Sequence, residues 1–405
     1  MEGEFEGQQQ ALLALLVKTE RYVDTMSDGA LATDSHTRKQ ILDRLTSLKH
    51  KLQTPMEQAW DIFFQPHHLS VLQTAMDAGW LQILNDAGRE GVTVTNLAAK
   101  SGADASLVRR LIRFLAAAGT VKEVDVDVFA AIEMTEFFSS PAIKAGLRHA
   151  SHEYTAAVSQ MPEYFANNGY QSPPNVEYGI FAHTYGTSFF RYLSQRPVAA
   201  AAFNEFMAAS KQGSRHWGDV YPVEWLQVQD PEDVLLVDVG GGKGHELAEM
   251  VARKEASGLR GKLVLQDLAK VLDEVPEQRR SMFDVEAHDF FTPQPESCRN
   301  ARTYYMRSVL HDWPDEECVT ILSHLRDAMR VGYSSVLIND IVLPDRDISF
   351  WSAAFDVTMM AVVCGKERAR REWEGLIGSV EGLLIEGVWE IDARGHCVIE
   401  VRRTR

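Results

Sequence analysis

The chain has 405 residues, of which 45% are hydrophobic and 24% are charged, and its formal net charge is −16 at pH 7. This length exceeds what a single hydrophobic core usually organises, so we expect more than one domain. Because 57 acidic residues outnumber 41 basic ones, nucleic acid and anionic membrane surfaces are not expected partners.

The beginning of the chain lacks the features of a secretory or membrane-spanning segment. Its first residues are acidic, where a secretory signal needs positive charge. The apolar run at residues 11–17 is far shorter than the roughly 20 residues that cross a bilayer, so it predicts a first helix. The cysteines are widely spaced and form no C-x-x-C pair, which disfavours both a disulfide framework and a zinc site. We therefore expect a cytoplasmic protein.

Residues 8–150 are predicted to be mainly helical, because their apolar residues recur at intervals of three and four. Within this stretch, Gly102 and Gly119 mark helix ends, and residues 121–124 form a short candidate strand. Helix, turn, helix and strand in this order predict a winged-helix unit. Such units commonly bind DNA, but the overall acidic charge makes DNA an unexpected partner here.

The chain changes character near Pro222. Before it, residues 163–182 are rich in turn-forming residues and predict a loop, and residues 197–211 predict a helix. After it, short apolar runs alternate with helical stretches, which is the pattern of a parallel sheet with crossover helices. The candidate strands are residues 234–239, 262–266, a short one near Val285, 303–309 and 335–341, with a terminal pair at 384–391 and 396–401.

These patterns predict the α/β fold class, with a Rossmann-like, doubly wound sheet that ends in an antiparallel hairpin. A mainly helical domain of winged-helix type precedes it. We divide the chain into a helical N-terminal extension at residues 1–54, the winged-helix-like domain at residues 55–222, and a catalytic domain at residues 223–405.

A glycine-rich loop follows the first predicted strand of the sheet and opens a helix, a context in which a ligand approaches the backbone closely. A dinucleotide fingerprint would need glycine at position 245, where His245 stands, and a phosphate-binding P-loop would need Ser or Thr after Lys243, where Gly244 stands. Asp238 before the loop suits a nucleoside that carries an amine and a sulfonium, such as S-adenosylmethionine. The loop itself comprises Gly240, Gly241 and Gly242.

Acidic residues follow the next two strands at positions suited to a nucleoside. Asp267 lies near the end of the second strand, where an acidic residue commonly binds the ribose hydroxyls. Asp289 and Phe290 follow the third strand and offer a carboxylate beside an aromatic face for adenine. Each feature alone fits a tight turn, a helix cap or a core position. Together in one βαβ frame they predict a nucleoside site.

A distinctive string runs from Tyr304 to Pro314, off a strand and onto the carboxyl edge of the sheet, and includes Leu-His-Asp-Trp. It resembles the corresponding string of the class I small-molecule O-methyltransferases of the caffeate and hydroxyindole type, and the fungal secondary-metabolite members most of all. The order of the motifs is similar too: glycine loop, Gln-Asp-Leu, His-Asp-Phe-Phe, Leu-His-Asp-Trp, Val-Leu-Pro and Gly-Lys-Glu-Arg. The resemblance covers roughly residues 55–405.

The resemblance implies methyl transfer from S-adenosylmethionine to a hydroxyl, expected to be phenolic, of a small aromatic metabolite such as a fungal polyketide. A phenol with a pKa of about 10 is mostly protonated at neutral pH, so a base must remove its proton. By motif position His311 is this general base, and Asp340 and Glu367 are its carboxylate partners. Plant members often carry Glu where Asp340 stands. Asp312 and Trp313 fit a helix start.

The resemblance also implies cofactor, pocket and assembly. Apolar residues of the family that enclose the acceptor correspond to Phe203, Met207 and either Met359 or Met360, although their helical spacing also fits a core. No metal is implied, and the helical domain is expected to form a homodimer. The expected cofactor-binding residues are Asp238, Gly240, Gly241, Gly242, Asp267, Asp289, Phe290 and Arg307, the last through its backbone.

Three other functions stay open from the sequence. A transferase of the same fold acting on nitrogen or carbon would keep the same base. A non-catalytic, cofactor-binding regulatory protein would be favoured by loss of the base or its carboxylates, and none is lost. A nicotinamide dehydrogenase is disfavoured by His245 in the glycine loop.

Overall fold

The structure is a computed structural model that describes residues 2–25, 35–210, 215–392 and 394–404. The chain divides into two units, residues 1–63 and residues 64–405. The predicted domain boundaries after residues 54 and 222 remain predictions.

The first unit consists of helices whose apolar side chains are largely exposed. It contains α1 (Glu2–Asp24), which includes the helix predicted around residues 11–17, α2 (Ser35–Leu52), and the beginning of α3 (Pro55–Asp77). Thr54 begins α3 with a reciprocal cap, because its backbone N–H donates to Glu57 over 2.7 Å while its hydroxyl accepts from the N–H of Glu57. Across the described ranges, no helix is both long and apolar enough for a membrane span.

The second unit opens with helices around a small antiparallel sheet. These are α4 (Trp80–Ala87), α5 (Val94–Ser101) and α6 (Ala105–Ala117), with β1 (Val92–Thr93), β2 (Lys122–Asp125) and β3 (Val128–Ala130) in the order β1-β3-β2. Asp104 caps α6 by accepting from the N–H of Leu107 over 2.8 Å. The expected helix, turn, helix and strand are present, and the strand forms a hairpin with β3, which the sequence did not predict.

Seven short helices continue this part: α7 (Glu133–Ser139), α8 (Pro141–His149), α9 (Thr155–Ser159), α10 (Met161–Asn167), α11 (Ile180–Tyr185), α12 (Phe189–Ser194) and α13 (Pro197–Ser210). A π-helical turn, Ala150–Tyr154, joins α8 to α9. The loop predicted over residues 163–182 is therefore too long, since both its ends are helical. Pro162 lies in the first turn of α10, where its missing N–H is not needed, and Tyr164 anchors the segment by donating to the carbonyl of Tyr178 over 2.8 Å. Helix α13 is the helix predicted over residues 197–211, of which residue 211 lies outside the described residues.

The sheet of the second unit has the order β10-β11-β8-β7-β4-β5-β6, and β9 pairs with β8. All pairs are parallel except those that β11 makes with β8 and with β10. The prediction of a Rossmann-like, doubly wound sheet with an antiparallel terminal hairpin is confirmed. The strands are β4 (Val234–Val239), β5 (Lys262–Asp267), β6 (Asp284–Ala287), β7 (Thr303–Arg307), β8 (Ser335–Leu343), β9 (Arg368–Ala369), β10 (Leu383–Glu390) and β11 (His396–Arg403).

Helices cover both faces of this sheet, which explains its nearly continuous apolar strands. Tyr304 and Tyr305 are neighbours in β7 that point to opposite faces, and both are fully buried. The sequence predicted a strand over residues 303–309, but β7 ends at Arg307, because Ser308 adopts a left-handed conformation with φ of 50°. The helices are α14 (His245–Ser257), α15 (Ala269–Leu272), α16 (Glu277–Arg280), α17 (Asp315–Ala328), α18 (Phe350–Val363) and α19 (Arg370–Ser379).

Candidate active site

The candidate site lies at the carboxyl edge of the sheet, where the chain leaves β4 on one side and β7 on the other. Strand order reverses between these neighbours, and open α/β sheets bind ligands at such a switch point. The glycine loop follows β4, Asp267 ends β5, Asp289 follows β6 and Asp340 lies in β8. The topology thus brings predicted residues from distant parts of the sequence to one edge.

Two positions of the glycine loop, Gly240 and Gly241, leave little room for a side chain. A Cβ atom at Gly241 would lie 2.4 Å from Oδ2 of Asp238, and one at Gly240 would lie 3.1 Å from Val309 and 3.5 Å from the Phe290 ring. Gly240 and Gly242 also have φ values of 73° and 59°, which favour glycine. The loop therefore forms a cradle in which a ligand can approach the backbone beside Phe290.

Asp267 is fixed at the mouth of this cradle by two backbone donors. Its Oδ2 accepts from the N–H of Gly242 over 2.9 Å, and its Oδ1 accepts from the N–H of Leu268 over 2.7 Å. Burial raises the pKa of Asp267, and the two backbone hydrogen bonds oppose that rise. Each carboxylate oxygen keeps a further lone pair, so ribose hydroxyls could donate to a group that is already oriented.

Aromatic rings hold Phe290 in place on the other side of the cradle. The Phe290 ring lies 5.1 Å from Phe291 and 6.1 Å from Trp313, and Phe291 packs edge-on against Trp313 at 4.8 Å, between ring centroids. Asp289 begins this turn, because its Oδ1 accepts from the N–H of Phe291 over 3.0 Å. The arrangement provides a rigid apolar face, as stacking of a base requires.

Arg307 has a side-chain partner that the sequence did not indicate. Its guanidinium donates to Glu246, which lies in the first turn of α14, just after the glycine loop. The other oxygen of Glu246 accepts from the hydroxyl of Tyr305 over 3.2 Å, and Asn339 donates to that hydroxyl over 2.8 Å. The side chain of Arg307 is thus engaged in a buried network, while its predicted backbone contact with adenine stays a prediction.

The three predicted catalytic residues come together around one imidazole. His311 lies in a short 3-10 turn, Leu310–Asp312, and its Nδ1 is 2.7 Å from Oε1 of Glu367. The same Nδ1 is 3.9 Å from Asp340, and Nε2 is 3.6 Å from Asp312. The side chains of Glu367 and Asp340 are 0% and 1% exposed, whereas His311 keeps 11%. Of the three predicted catalytic residues, His311 is therefore the most exposed to a ligand.

Charge and burial compete strongly in this cluster. Burial alone would lower the pKa of His311, but Asp312, Asp340 and Glu367 outweigh it and raise that pKa to about 10. Burial raises the pKa of Asp340 to about 7, with Glu367 adding to the rise and His311 opposing it. Among the described residues, neither oxygen of Asp340 nor Oε2 of Glu367 has a hydrogen-bond partner. The imidazole therefore compensates the charge of these carboxylates, and the positive charge of Arg368 adds to this at Asp340.

The backbone around Glu367 is held against the turn that carries His311. The N–H of Glu367 donates to Asp356 of α18 over 2.9 Å, and the N–H of Lys366 donates to the carbonyl of His311 over 2.8 Å. A Cβ atom at Gly365 would lie 2.2 Å from that carbonyl oxygen, so this position requires glycine. The two segments are therefore in direct backbone contact.

Arg368 is a positioning residue that sequence reasoning missed. Its fully buried guanidinium donates to the carbonyls of Leu310 over 3.0 Å and Trp313 over 2.9 Å, and it pairs with Asp315 at 2.7 Å. It thereby ties both sides of the His311 turn to β9. A buried arginine cannot be distinguished from a surface one by sequence, and the Gly-Lys-Glu-Arg string was the only signal.

The predicted pocket residues are spread over two helices. Phe203 of α13 and Met359 of α18 pack against the same apolar cluster of the helical part, while Met207 and Met360 are half-buried. The Phe355 ring lies beside His311, with 6.4 Å between the two ring centroids, and Trp351 stacks on Phe355 at 5.3 Å. The sequence prediction did not include these two aromatic residues. The pocket roles of the predicted residues stay predictions.

A glycine cradle at the switch point, next to a buried histidine–carboxylate cluster, defines the Rossmann-like methyltransferase class. Residues 167–381 match the O-methyltransferase domain family. The chain is 32% identical to methyltransferase cfoC of Aspergillus candidus over 93% of this chain and 94% of that protein, and 32% identical to O-methyltransferase mpaG of Penicillium brevicompactum over 91% and 93%. The structure of LepI in complex with S-adenosylmethionine has a TM-score of 0.84, 24% identity, and coverage of 98% of this chain and 100% of LepI.

The chain therefore belongs to the O-methyltransferase family, and it is an S-adenosylmethionine-dependent O-methyltransferase. This family membership argues against the other enzyme classes and the non-catalytic role that were considered from the sequence. The likeness to LepI shows the fold alone. Over the part of the chain that the structure describes, no group of three or more His, Cys, Asp or Glu residues is arranged as a metal site.

Replacement of Arg368 tests the contacts that position the His311 turn. We expect Arg368→Lys to lower the free energy of unfolding by about 2–4 kcal/mol, because it leaves buried carbonyls unsatisfied. Urea denaturation measures this change. The exposed Arg370 offers a matched control, and Arg370→Lys should change stability by less than about 0.5 kcal/mol. Equal effects of the two substitutions would contradict the assignment.

Proposed function

We propose that this O-methyltransferase methylates a phenolic hydroxyl of a small aromatic fungal secondary metabolite, such as a polyketide, with His311 as the general base. The observation that carries the proposal is the 2.7 Å contact between Nδ1 of His311 and the buried carboxylate of Glu367. The fungal relatives support the metabolic setting.

S-adenosylmethionine, when bound, supplies an electrophilic methyl group on its sulfonium. The residues of the chain must then deprotonate the acceptor and hold its oxygen in line. Glu367 accepts from Nδ1–H of His311 and so fixes the tautomer in which Nε2 carries the lone pair. Nε2 takes the phenolic proton, and the adjacent carboxylates stabilise the imidazolium that results.

Asp340 and Asp312 have different supporting roles in this scheme. Asp340 is 3.9 Å from Nδ1, beyond hydrogen-bonding distance, so it acts on His311 through charge. Asp312 is 3.6 Å from Nε2, on the side of the imidazole that receives the proton. We assign Glu367 as the orienting carboxylate and Asp340 as an electrostatic partner.

The cradle residues suit the cofactor in chemical type. Asp267 would hold the ribose hydroxyls, Phe290 and Asp289 the adenine, and the loop of Gly240, Gly241 and Gly242 would meet the methionine portion, with Asp238 beneath it. The close packing at Gly241 and the two backbone donors on Asp267 support this assignment. Phe203, Met207, Met359 and Met360 remain the proposed acceptor-binding residues, and we expect a cytoplasmic location.

Calorimetric titration with S-adenosylhomocysteine tests the cofactor site. Asp267→Ala should weaken binding about 10- to 100-fold, because the two ribose hydroxyls lose their hydrogen bonds to a charged carboxylate. Asp267→Asn, which keeps one acceptor oxygen, should have an intermediate affinity. The exposed neighbour Asp273 provides the control, since Asp273→Ala should bind like the wild type. Unchanged affinity in Asp267→Ala would refute this assignment.

The pH dependence of catalysis tests the base. The free enzyme holds the pKa of His311 far above its ordinary value, so kcat/KM should rise with pH, with a midpoint above about 6.5. Glu367→Gln removes a negative charge that favours the imidazolium. The midpoint should therefore move to lower pH, while the maximum falls about 100- to 10,000-fold because the tautomer is no longer fixed. Glu372→Gln, on the surface nearby, should leave the midpoint in place, and an unshifted midpoint in Glu367→Gln would exclude the proposed pairing.

We also propose a homodimer in which the helices of residues 1–63 form the contact. Leu13, Leu15, Trp60, Ile62 and Phe63 are all between 48% and 63% exposed, and helices with this much exposed apolar surface usually bind a partner. A second copy of the chain is the proposed occupant.

Light scattering after gel filtration tests this assembly. The wild type should have the mass of two chains, and the double substitution Leu13→Glu with Ile62→Glu should give one chain, because buried charges disfavour the contact. Gln10→Glu, which adds a charge at a polar exposed position of the same helix, should keep the dimer. A monomeric wild type would contradict the proposal.

A further inference from the structure

A second buried histidine–glutamate pair lies outside the residues assigned so far. His149 ends α8, and its Nδ1 is 3.2 Å from Oε2 of Glu153 in the π-helical turn Ala150–Tyr154. Both side chains are 7% exposed. The hydroxyl of Tyr192 lies 3.5 Å from the other carboxylate oxygen. The pair repeats the pattern of His311 and Glu367, in which a buried carboxylate holds Nδ1.

The pair lies beside elements already placed near the acceptor. The π-helical turn packs against α18, the helix whose Phe355 lies next to His311. The His149 ring meets Phe203 edge-on at 5.3 Å, between centroids. A surface cavity of about 330 Å³ is lined by Glu153 and Tyr192, with His152, but not by His149. Glu153 thus lines the outer cavity and also contacts His149, whose ring packs against Phe203.

The hydrogen bond to Glu153 decides what the other nitrogen can do. When Nδ1–H donates to the carboxylate, Nε2 of the neutral imidazole is a hydrogen-bond acceptor. Within the described residues, Nε2 of His149 has no hydrogen bond. Nε2 is not among the fully enclosed unpaired atoms, so it keeps some accessible surface, and π-helical turns occur frequently at functional sites. The expected partner is a donor on a bound ligand.

We propose that His149, oriented by Glu153, is a specificity residue that accepts a hydrogen bond from a second hydroxyl of the acceptor. The preferred acceptor is then an aromatic diol, with one hydroxyl at His311 and the other at His149. This inference rests on the proposed function, because it assumes that the acceptor lies between Phe203 and His311.

Equilibrium binding of matched probes tests the proposal without requiring turnover. Dihydroxynaphthalene isomers and the naphthols that lack one hydroxyl are titrated into the protein saturated with S-adenosylhomocysteine. The wild type should bind its best diol about 10-fold more tightly than the matching naphthol, as expected for one hydrogen bond in a dry site. His149→Leu should reduce this ratio to about one by weakening the diol alone.

Two further variants separate recognition from general disruption. His149→Gln places an amide oxygen near the position of Nε2 and should restore part of the ratio. His152→Leu alters the histidine that faces the outer cavity and should leave the ratio unchanged. Unaltered affinity for S-adenosylhomocysteine shows that each variant is folded, and if His149→Leu fails this check, His149→Gln carries the comparison.

The outcomes distinguish this inference from the proposed function. A wild type without preference for any diol, or a preference that survives His149→Leu, would overturn the role of His149. Methylation of diols by the wild type together with such a result would leave the proposed function standing. Conversely, a ratio that depends on His149, in a protein that methylates none of the bound phenols, would support the recognition site and count against phenolic methyl transfer.

Discussion

The imidazole of His311 is buried together with the carboxylates of Glu367 and Asp340 in a volume that excludes almost all water. Removing carboxylates from water is unfavourable by several kcal/mol each unless a positive or hydrogen-bonding partner compensates them. One imidazole serves both carboxylates, and only Glu367 reaches it at hydrogen-bonding distance. A cluster that is not fully neutralised suits the proposed role of His311 as a base, because its uncompensated negative charge favours uptake of a proton. Its geometry must therefore be enforced from outside.

The pairing of two strands supplies that enforcement. β9 pairs with β8 through Val342 and Arg368. This pairing brings Glu367, the residue before Arg368, to the same edge as Asp340, which lies two residues before Val342. The guanidinium of Arg368 then holds the carbonyls on both sides of the His311 turn. The β8–β9 register and the buried guanidinium of Arg368 together bring His311, Asp340 and Glu367 to one point, although His311 and Glu367 are 56 positions apart in the sequence.

The fold was predictable where a single physical signal dominated. Buried strands such as β4 can be recognised from their continuous apolar residues, and the glycine loop can be recognised from its consecutive glycines. The order of the motifs located His311, Asp340 and Glu367. The errors arose where tertiary contacts overrode local pattern. Ser308 ends β7 through a backbone conformation that its sequence does not reveal, and the anchoring of Tyr164 keeps part of a turn-rich stretch helical. Phe355 lies near His311 because of how α18 packs, a contact that the helical pattern of the sequence does not reveal.

Helix α18 connects the two halves of the proposed chemistry. Its Asp356 fixes the backbone of Glu367, its Phe355 lies beside His311, and its Met359 packs into the helical cluster that also contains Phe203. These three contacts occur within two turns of one helix, so a shift along its axis would move all of them together. Under the proposed function, a movement of α18 would therefore change both the shape of the acceptor pocket and the orientation of His311. A substitution that displaces α18 would also move Glu367, whereas the proposed contact of His149 with the acceptor comes from a separate element, α8. If His149 acts as proposed, changes in the helical part can alter acceptor preference while His311 and Glu367 keep their geometry.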